Sequence, residues 1–221
     1  MMEILRKITP EKMSFFDAIL YASGPAKSFL PQYRMMAREI SEAAKGTILD
    51  IGTGPGVLPL EIGKALKSTR IIGIDLSAKM IKIAQRNKKK HGLTNIDFAV
   101  MNARVLAFGD NTLDMIISTD SLHHWKRPGA VLDEIYRCLK PGCEAWIYDG
   151  FSGASNEDID TYIAGTGIIF SPHWLIRLIL GIHGFSQEEY NTTINNIVAE
   201  THFKTCVCEK RGVMMRLRLR K

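Results

Sequence analysis

From Lys45 onward the chain alternates short apolar blocks with longer amphipathic ones. The first block, "GTILDIG", predicts a buried strand. The next, "VLPLEIGKALK", predicts a helix that tolerates Pro59 in its first turn. Strand patterns return in "RIIGIDLS", "IDFAVMNA", "LDMIISTD" and "EAWIYDG". Between them, "SAKMIKIAQRNKKKHG" predicts a helix with Ser77 as N-cap, cations in its last turn and Gly92 as its stop. "RPGAVLDEIYRCLKPG" predicts another, closed by Pro141 and Gly142. Strand and helix repeated in this way predict an α/β fold, a mostly parallel sheet with helices on both faces. Such a sheet binds ligands beyond the carboxyl ends of its strands, beside the switch in strand order.

The pattern changes near the end. "SQEEYNTTINNIVAETHF" predicts a helix, and "KTCVCEKR" with "VMMRLRLR" predicts two strands joined by a tight turn at Arg211-Gly212. A turn that short forces antiparallel pairing, so the sheet ends in a hairpin. Arg216, Arg218 and Arg220 share one face of the last strand, which reads as a solvated face. The division expected is one domain: a helical cap over 1–44, a core over 45–150, a lid-like insertion over 151–185, and a terminal helix and hairpin over 186–221.

Composition narrows the class. At 221 residues, 46% hydrophobic and 24% charged, the chain can bury one core and is not a disordered protein. A net charge of +6 permits an anionic partner and demands none. Four cysteines are too few for a disulfide scaffold, and "MMEILRKITPEKM" has no apolar leader, so a cytoplasmic protein with reduced thiols is expected. No run reaches the roughly 20 apolar residues that a spanning helix needs. Cys206 and Cys208 face one way on a strand, unlike the C-x-x-C pairs of zinc sites, and no metal site is expected.

The chemistry starts at "ILDIGTGPGVL". A glycine-rich turn after a strand is a nucleotide-binding signal, but Gly52, Gly54 and Gly56 depart from the G-x-G-x-x-G dinucleotide spacing. A triphosphate loop would end in Gly-Lys-Ser/Thr, which is absent. Asp75 ends the second strand about 20 residues on, where an acid accepts from ribose hydroxyls. Asn102, after the third strand, carries an amide oxygen that can accept from an adenine amino group.

Together "ILDIGTGPGVLPLEIGK", "IIGIDLSAKMIKIAQRN", "LDMIISTDSLHHW" and "VLDEIYRCLKPG" resemble class I S-adenosylmethionine-dependent methyltransferases of the small "type 11" kind. The likeness spans Lys45 to Asp149. It implies a Rossmann-like, doubly wound, mostly parallel seven-stranded sheet ending in an antiparallel hairpin. It implies S-adenosylmethionine as cofactor, with S-adenosylhomocysteine as product. By position, Asp50, Gly52, Thr53, Gly54 and Gly56 line the methionine pocket, Asp75 holds the ribose, Leu76 and Met80 flank the adenine, and Asn102 and Ala103 contact it. Many relatives have Asp where this chain has Asn102. The departure keeps an acceptor and loses a charge.

Downstream, Thr119 and Asp120 start a loop at the carboxyl end of the sheet, where either can touch the cofactor or the substrate. His124 is the foremost acid/base candidate, ahead of His123, because imidazole titrates near neutrality. One His and Trp125 have a second use, packing the loop on the sheet. Tyr21, in "FFDAILYASGPAKSF", is a candidate to line the acceptor pocket. In "SPHWLIRLILGIHGF", Ser171 reads as N-cap and Pro172 as first helical residue of a helix apolar almost all round. It reads as a lid over an apolar or aromatic small-molecule acceptor, with a dimer contact or a membrane-surface contact through 171–185 as the other uses.

Methylation of RNA or protein is the alternative, and non-catalytic binding of the cofactor another. No N-P-P-Y or D-P-P-Y tetrapeptide follows the fourth strand, and the basic runs lack interleaved aromatics, so nucleic acid is not favoured.

Overall fold

A computed structural model describes residues 30–166 and 172–221. Tyr21, the "FFDAILYA" segment and Ser171 lie outside the described residues. The first described helix, α1 (Leu30–Ala43), turns Tyr33, Met36, Ala37 and Ile40 inward. After it come β1 (Ile48–Ile51), α2 (Val57–Ala65), β2 (Ile71–Asp75), α3 (Ala78–His91), β3 (Ile96–Val100), β4 (Leu113–Thr119), α4 (Pro128–Cys138) and β5 (Leu139–Gly150). Then follow α5 (Asn156–Thr166), α6 (His173–His183), α7 (187–200), β6 (Val207–Arg211) and β7 (Met214–Arg220).

The seven strands stand in the order β3-β2-β1-β4-β5-β7-β6. The first five are parallel, and β7 runs antiparallel between β5 and β6. This is the doubly wound sheet with a terminal hairpin that the alternation predicts. All four residues of β1 are buried, as expected for a central parallel strand covered on both faces. Strand order reverses between β1 and β4, so the switch-point crevice opens over the ends of those two strands.

Boundaries follow local chemistry. Ser77 caps α3, accepting from the Met80 amide, and Gly92 ends it at φ +64°. Helix α4 stops at Cys138, before Pro141, because the residue preceding a proline is pushed out of helical geometry and Lys140 joins β5 instead. Ser186 and Glu189 form a reciprocal capping box at the start of α7, which passes through a π-turn over Tyr190–Ile194.

Two expectations are corrected. Arg216 is not on a solvated face: it is 5% exposed, and its guanidinium bonds Glu209 and, at 2.9 Å, Glu39 of α1 while lying 4.3 Å from the Trp146 ring centroid. Two carboxylates and an aromatic face replace the water that the charge would lose. Helix α6 starts one residue later than expected, with Pro172 at its N-cap. It buries Ile176 and Gly181 but leaves Trp174 67% and Leu178 51% exposed, so its apolar character is not matched by burial. No helix among the described residues is long and apolar enough to cross a membrane.

Candidate active site at the carboxyl end of the sheet

Beyond Ile51 the chain folds back through "GTGPG". The amides of Gly52 and Thr53 both donate to the Ile74 carbonyl at 2.9 Å, tying the turn to β2. Gly52 and Gly56 sit at φ +73° and +79°. A Cβ on Gly52 would lie 2.4 Å from the Ser121 Oγ, and one on Gly56 would lie 2.7 Å from the Phe98 ring. The glycines therefore let the β4 loop close over the turn and let α2 settle on β3. We expect Gly56→Ala to cost about 2 kcal/mol in chemical denaturation, from left-handed strain plus overpacking. Gly54→Ala should cost less, since nothing lies within 4 Å of its Cβ position.

Asp75 joins this turn to the next helix. Its Oδ2 accepts from the Gly54 amide at 3.0 Å and its Oδ1 from the Ser77 amide at 2.7 Å. The acid that the sequence assigns to a ribose thus also locks the glycine turn against the start of α3. Asp50, 3% exposed, lines a small cleft with Tyr33, Gly52, Thr53, Leu58 and Thr119. Loss of water, helped by the charge of Asp75, pushes the Asp50 carboxyl up to about 7, and the neighbouring Thr53 opposes this only in part. The Thr53 and Thr119 hydroxyls are buried without a hydrogen-bond partner. Orphaned buried hydroxyls beside a cleft are what a ligand-binding site offers before its ligand arrives.

The remaining cofactor candidates lie along the same edge. Leu76 is half-buried, Met80 is buried on the inner side of α3, and Ala103 packs against the core. The Asn102 Oδ1 accepts from the Arg104 amide at 3.0 Å, so the acceptor expected for an adenine also closes its own turn.

A second cluster follows β4. Asp120 takes φ +50°, and burial with the neighbouring Asp149 charge pushes its carboxyl up to about 7. The Trp125 indole donates to the Ser121 Oγ at 3.0 Å, tying the loop to itself. His123 ties the loop to the end of β5 through Asp149: its backbone amide and its Nδ1 meet that carboxylate at 3.1 and 2.8 Å. His124 lies beside it, ring centroids 4.0 Å apart. Burial, then the neighbouring His123, lowers His124 to about 4. That environment disfavours the charged form and so favours the neutral imidazole over the near-neutral titration of a free one.

Comparison with known proteins fits this geometry. Residues 48–142 match the sequence profile of a family described as a methyltransferase domain. Over those residues the chain is similar to methyltransferases. A methyltransferase-family crystal structure from Methanococcus maripaludis, described as a candidate S-adenosyl-L-methionine-dependent enzyme, superposes with a TM-score of 0.76. It covers 97% of each chain at 24% identity, and at that identity it speaks for the fold alone. The ubiquinone/menaquinone biosynthesis C-methyltransferase of Hydrogenovibrio crunogenus is 28% identical over 53% of this chain and 47% of its own length. The ubiquinone biosynthesis O-methyltransferase of Paraburkholderia xenovorans is 23% identical over 91% and 74% respectively. Several curated relatives, the Hydrogenovibrio protein among them, are matched over about half their own length or less.

Three site residues escaped the sequence reading. Tyr33 reaches the cleft from α1, Asp149 anchors the β4 loop, and His183 at the end of α6 stands 5.2 Å from the His123 ring. Asp149 carried a usable signal, an acid at the carboxyl end of the strand "EAWIYDG". His183 carried none.

Proposed function

We propose that this protein transfers a methyl group from S-adenosylmethionine to a small apolar or aromatic acceptor by direct displacement. The observation that carries the reading is the cleft at the β1–β4 switch, lined by Asp50, Thr53 and the unpartnered Thr119 hydroxyl, beside a glycine turn bridged by Asp75. When bound there, the cofactor supplies a methyl carbon on a sulfonium, a leaving group that needs no protonation. The chain's own task is then placement, which alone can supply much of the rate. In this reading Asp50, with Thr53 and Thr119, holds the cationic amino-acid end. Asp75 accepts from the ribose, and Leu76, Met80, Asn102 and Ala103 bound the adenine.

Asp120, poised near 7, is the group in this edge best suited to take a proton from an acceptor hydroxyl or thiol. His124, held neutral, suits hydrogen bonding to the acceptor better than accepting its proton. Tyr21 keeps its proposed place at the acceptor pocket. The apolar side of α6, with Trp174 and Leu178, supports an apolar acceptor covered by the 151–185 segment. The attacking atom is left open by the relatives, which include C- and O-methyltransferases.

Calorimetric titration with S-adenosylmethionine and with NAD tests the cofactor. Absence of binding by the first, or preference for the second, overturns the reading. Formation of S-adenosylhomocysteine with a metabolite extract, followed by mass spectrometry of the product, tests the activity and identifies the acceptor. Asp75→Ala should weaken cofactor binding by about 2 kcal/mol through loss of charged hydrogen bonds. An unchanged affinity in the folded variant would remove Asp75 from the ribose site.

A further inference from the structure

Three histidines converge where β4, β5 and α6 meet. His123 and His124 come from the loop after β4, and His183 from the last turn of α6. One potential ligand atom of each lies within 4.8 Å of the other two. None of the three lines the cleft around Asp50. The meeting is built by backbone. Gly150 and Gly184 approach so closely that a Cβ on Gly184 would lie 2.7 Å from the Gly150 carbonyl oxygen. The Phe185 amide donates to that same carbonyl at 2.8 Å. The end of α6 is thereby pinned to the end of β5, next to the β4 loop.

We propose that His123, His124 and His183 form a binding site for a divalent transition-metal ion, zinc being the first candidate. Imidazole suits zinc and its neighbours in the first transition row. The Nδ1 of His123 faces the Asp149 carboxylate at 2.8 Å, which fixes the tautomer with its proton on Nδ1 and its lone pair on Nε2. A carboxylate behind a ligating histidine is a recurrent feature of zinc sites. The Nδ1 of His124 is buried with no hydrogen-bond partner, a costly state that a metal ion resolves. Zinc–nitrogen bonds of about 2.0–2.1 Å put tetrahedral ligand atoms about 3.4 Å apart, within reach of small side-chain rotations from the present spacing.

No fourth His, Cys, Asp or Glu joins this group among the described residues. Three protein ligands with one position left for water or substrate is the pattern of a catalytic rather than a structural zinc site. Use of that position to hold an oxygen or sulfur of the methyl acceptor rests on the methyl-transfer reading. The metal site does not.

The test uses the full chain, free of any affinity tag, in a Cys206→Ser/Cys208→Ser background. That removes a thiol pair 3.9 Å apart which would also take zinc. After chelation and desalting, the protein is titrated with zinc chloride by calorimetry and with cobalt chloride by visible absorption. One ion per chain is expected, with tetrahedral cobalt bands. His183→Ala should lower the affinity at least about 100-fold, and His124→Gln should do likewise. His202→Ala, whose ring is paired with Asp133 on another surface, should bind like its parent. Far-UV circular dichroism establishes that each variant is folded. No binding by the parent, or equal binding by the parent and both folded variants of the cluster, overturns the proposal. Failure to bind S-adenosylmethionine alongside intact metal binding would instead overturn the methyl-transfer reading.

Discussion

Asp149→Ala is expected to lower the stability of the protein by about 3–5 kcal/mol, a large share of what a domain this size has to lose. The carboxylate is fully buried at the end of β5. It accepts from the His123 amide at 3.1 Å, from the His123 Nδ1 at 2.8 Å and from the Gly150 amide at 2.8 Å. Truncation leaves these donors facing a cavity, and each buried donor without an acceptor costs about 1–3 kcal/mol. The sum is not fully realised, because the variant no longer pays to keep a charge away from water. Asp149→Asn keeps one acceptor oxygen and should lose roughly half as much. The measurement is a urea unfolding series, read from the midpoint with the slope unchanged. A second readout separates the charge from the packing: burial first and the Asp149 charge second hold Asp120 near 7, so the Asp120 carboxyl should titrate lower in either variant, as seen by NMR. A loss under 1 kcal/mol in Asp149→Ala would remove Asp149 as the anchor of the β4 loop.

This anchor shows where the sequence is informative and where it stops. The strands, the helices between them and the terminal hairpin were legible because each is written locally, in period, caps and turn residues. The cleft was legible for a related reason. In a doubly wound sheet the strand ends are the binding edge, so Asp75 and Thr119 could be placed by counting along each strand, whereas Asp50 entered the pocket through the family resemblance. Arg216 could not. A period-two face says which residues share a side, not what covers it, and Glu39 lies 177 positions away. The apolar helix α6 failed for the same reason, since counting apolar residues does not say which of them another element meets. His183 is the clearest case. Its place beside His123 depends on the close backbone approach of Gly150 and Gly184, two glycines with no motif between them. A tertiary contact of that kind leaves no periodic trace.

Cofactor affinity should rise about a hundredfold between pH 5 and pH 8 and level off above that. In the unliganded protein the Asp50 carboxyl titrates at about 7, so below that pH its protonated form dominates. Under the proposed reading it meets the cationic amino-acid end of S-adenosylmethionine, and a cation within about 4–6 Å lowers a carboxyl pKa by about 1–3 units. Binding below pH 7 must therefore release a proton, and each unit of lowering is worth about tenfold in affinity as pH rises through that range. The same group acts on stability with the opposite sign. The folded, unliganded chain holds a proton that the unfolded chain gives up near the ordinary carboxylate value. Its contribution is thus greatest below about pH 4 and is lost as pH climbs to about 7, by roughly 4 kcal/mol at most. Raising the pH consequently weakens the free protein while tightening the complex, and the thermal shift produced by a fixed cofactor concentration should grow from pH 5 to pH 8. Asp120 titrates in the same range, so the assignment rests on Asp50→Asn. That variant should bind more weakly at pH 8 and lose most of the pH dependence. Calorimetry in two buffers of different ionisation enthalpy counts the released proton directly. A pH-independent affinity in the parent, or an unchanged profile in Asp50→Asn, would remove Asp50 from the cationic end of the cofactor.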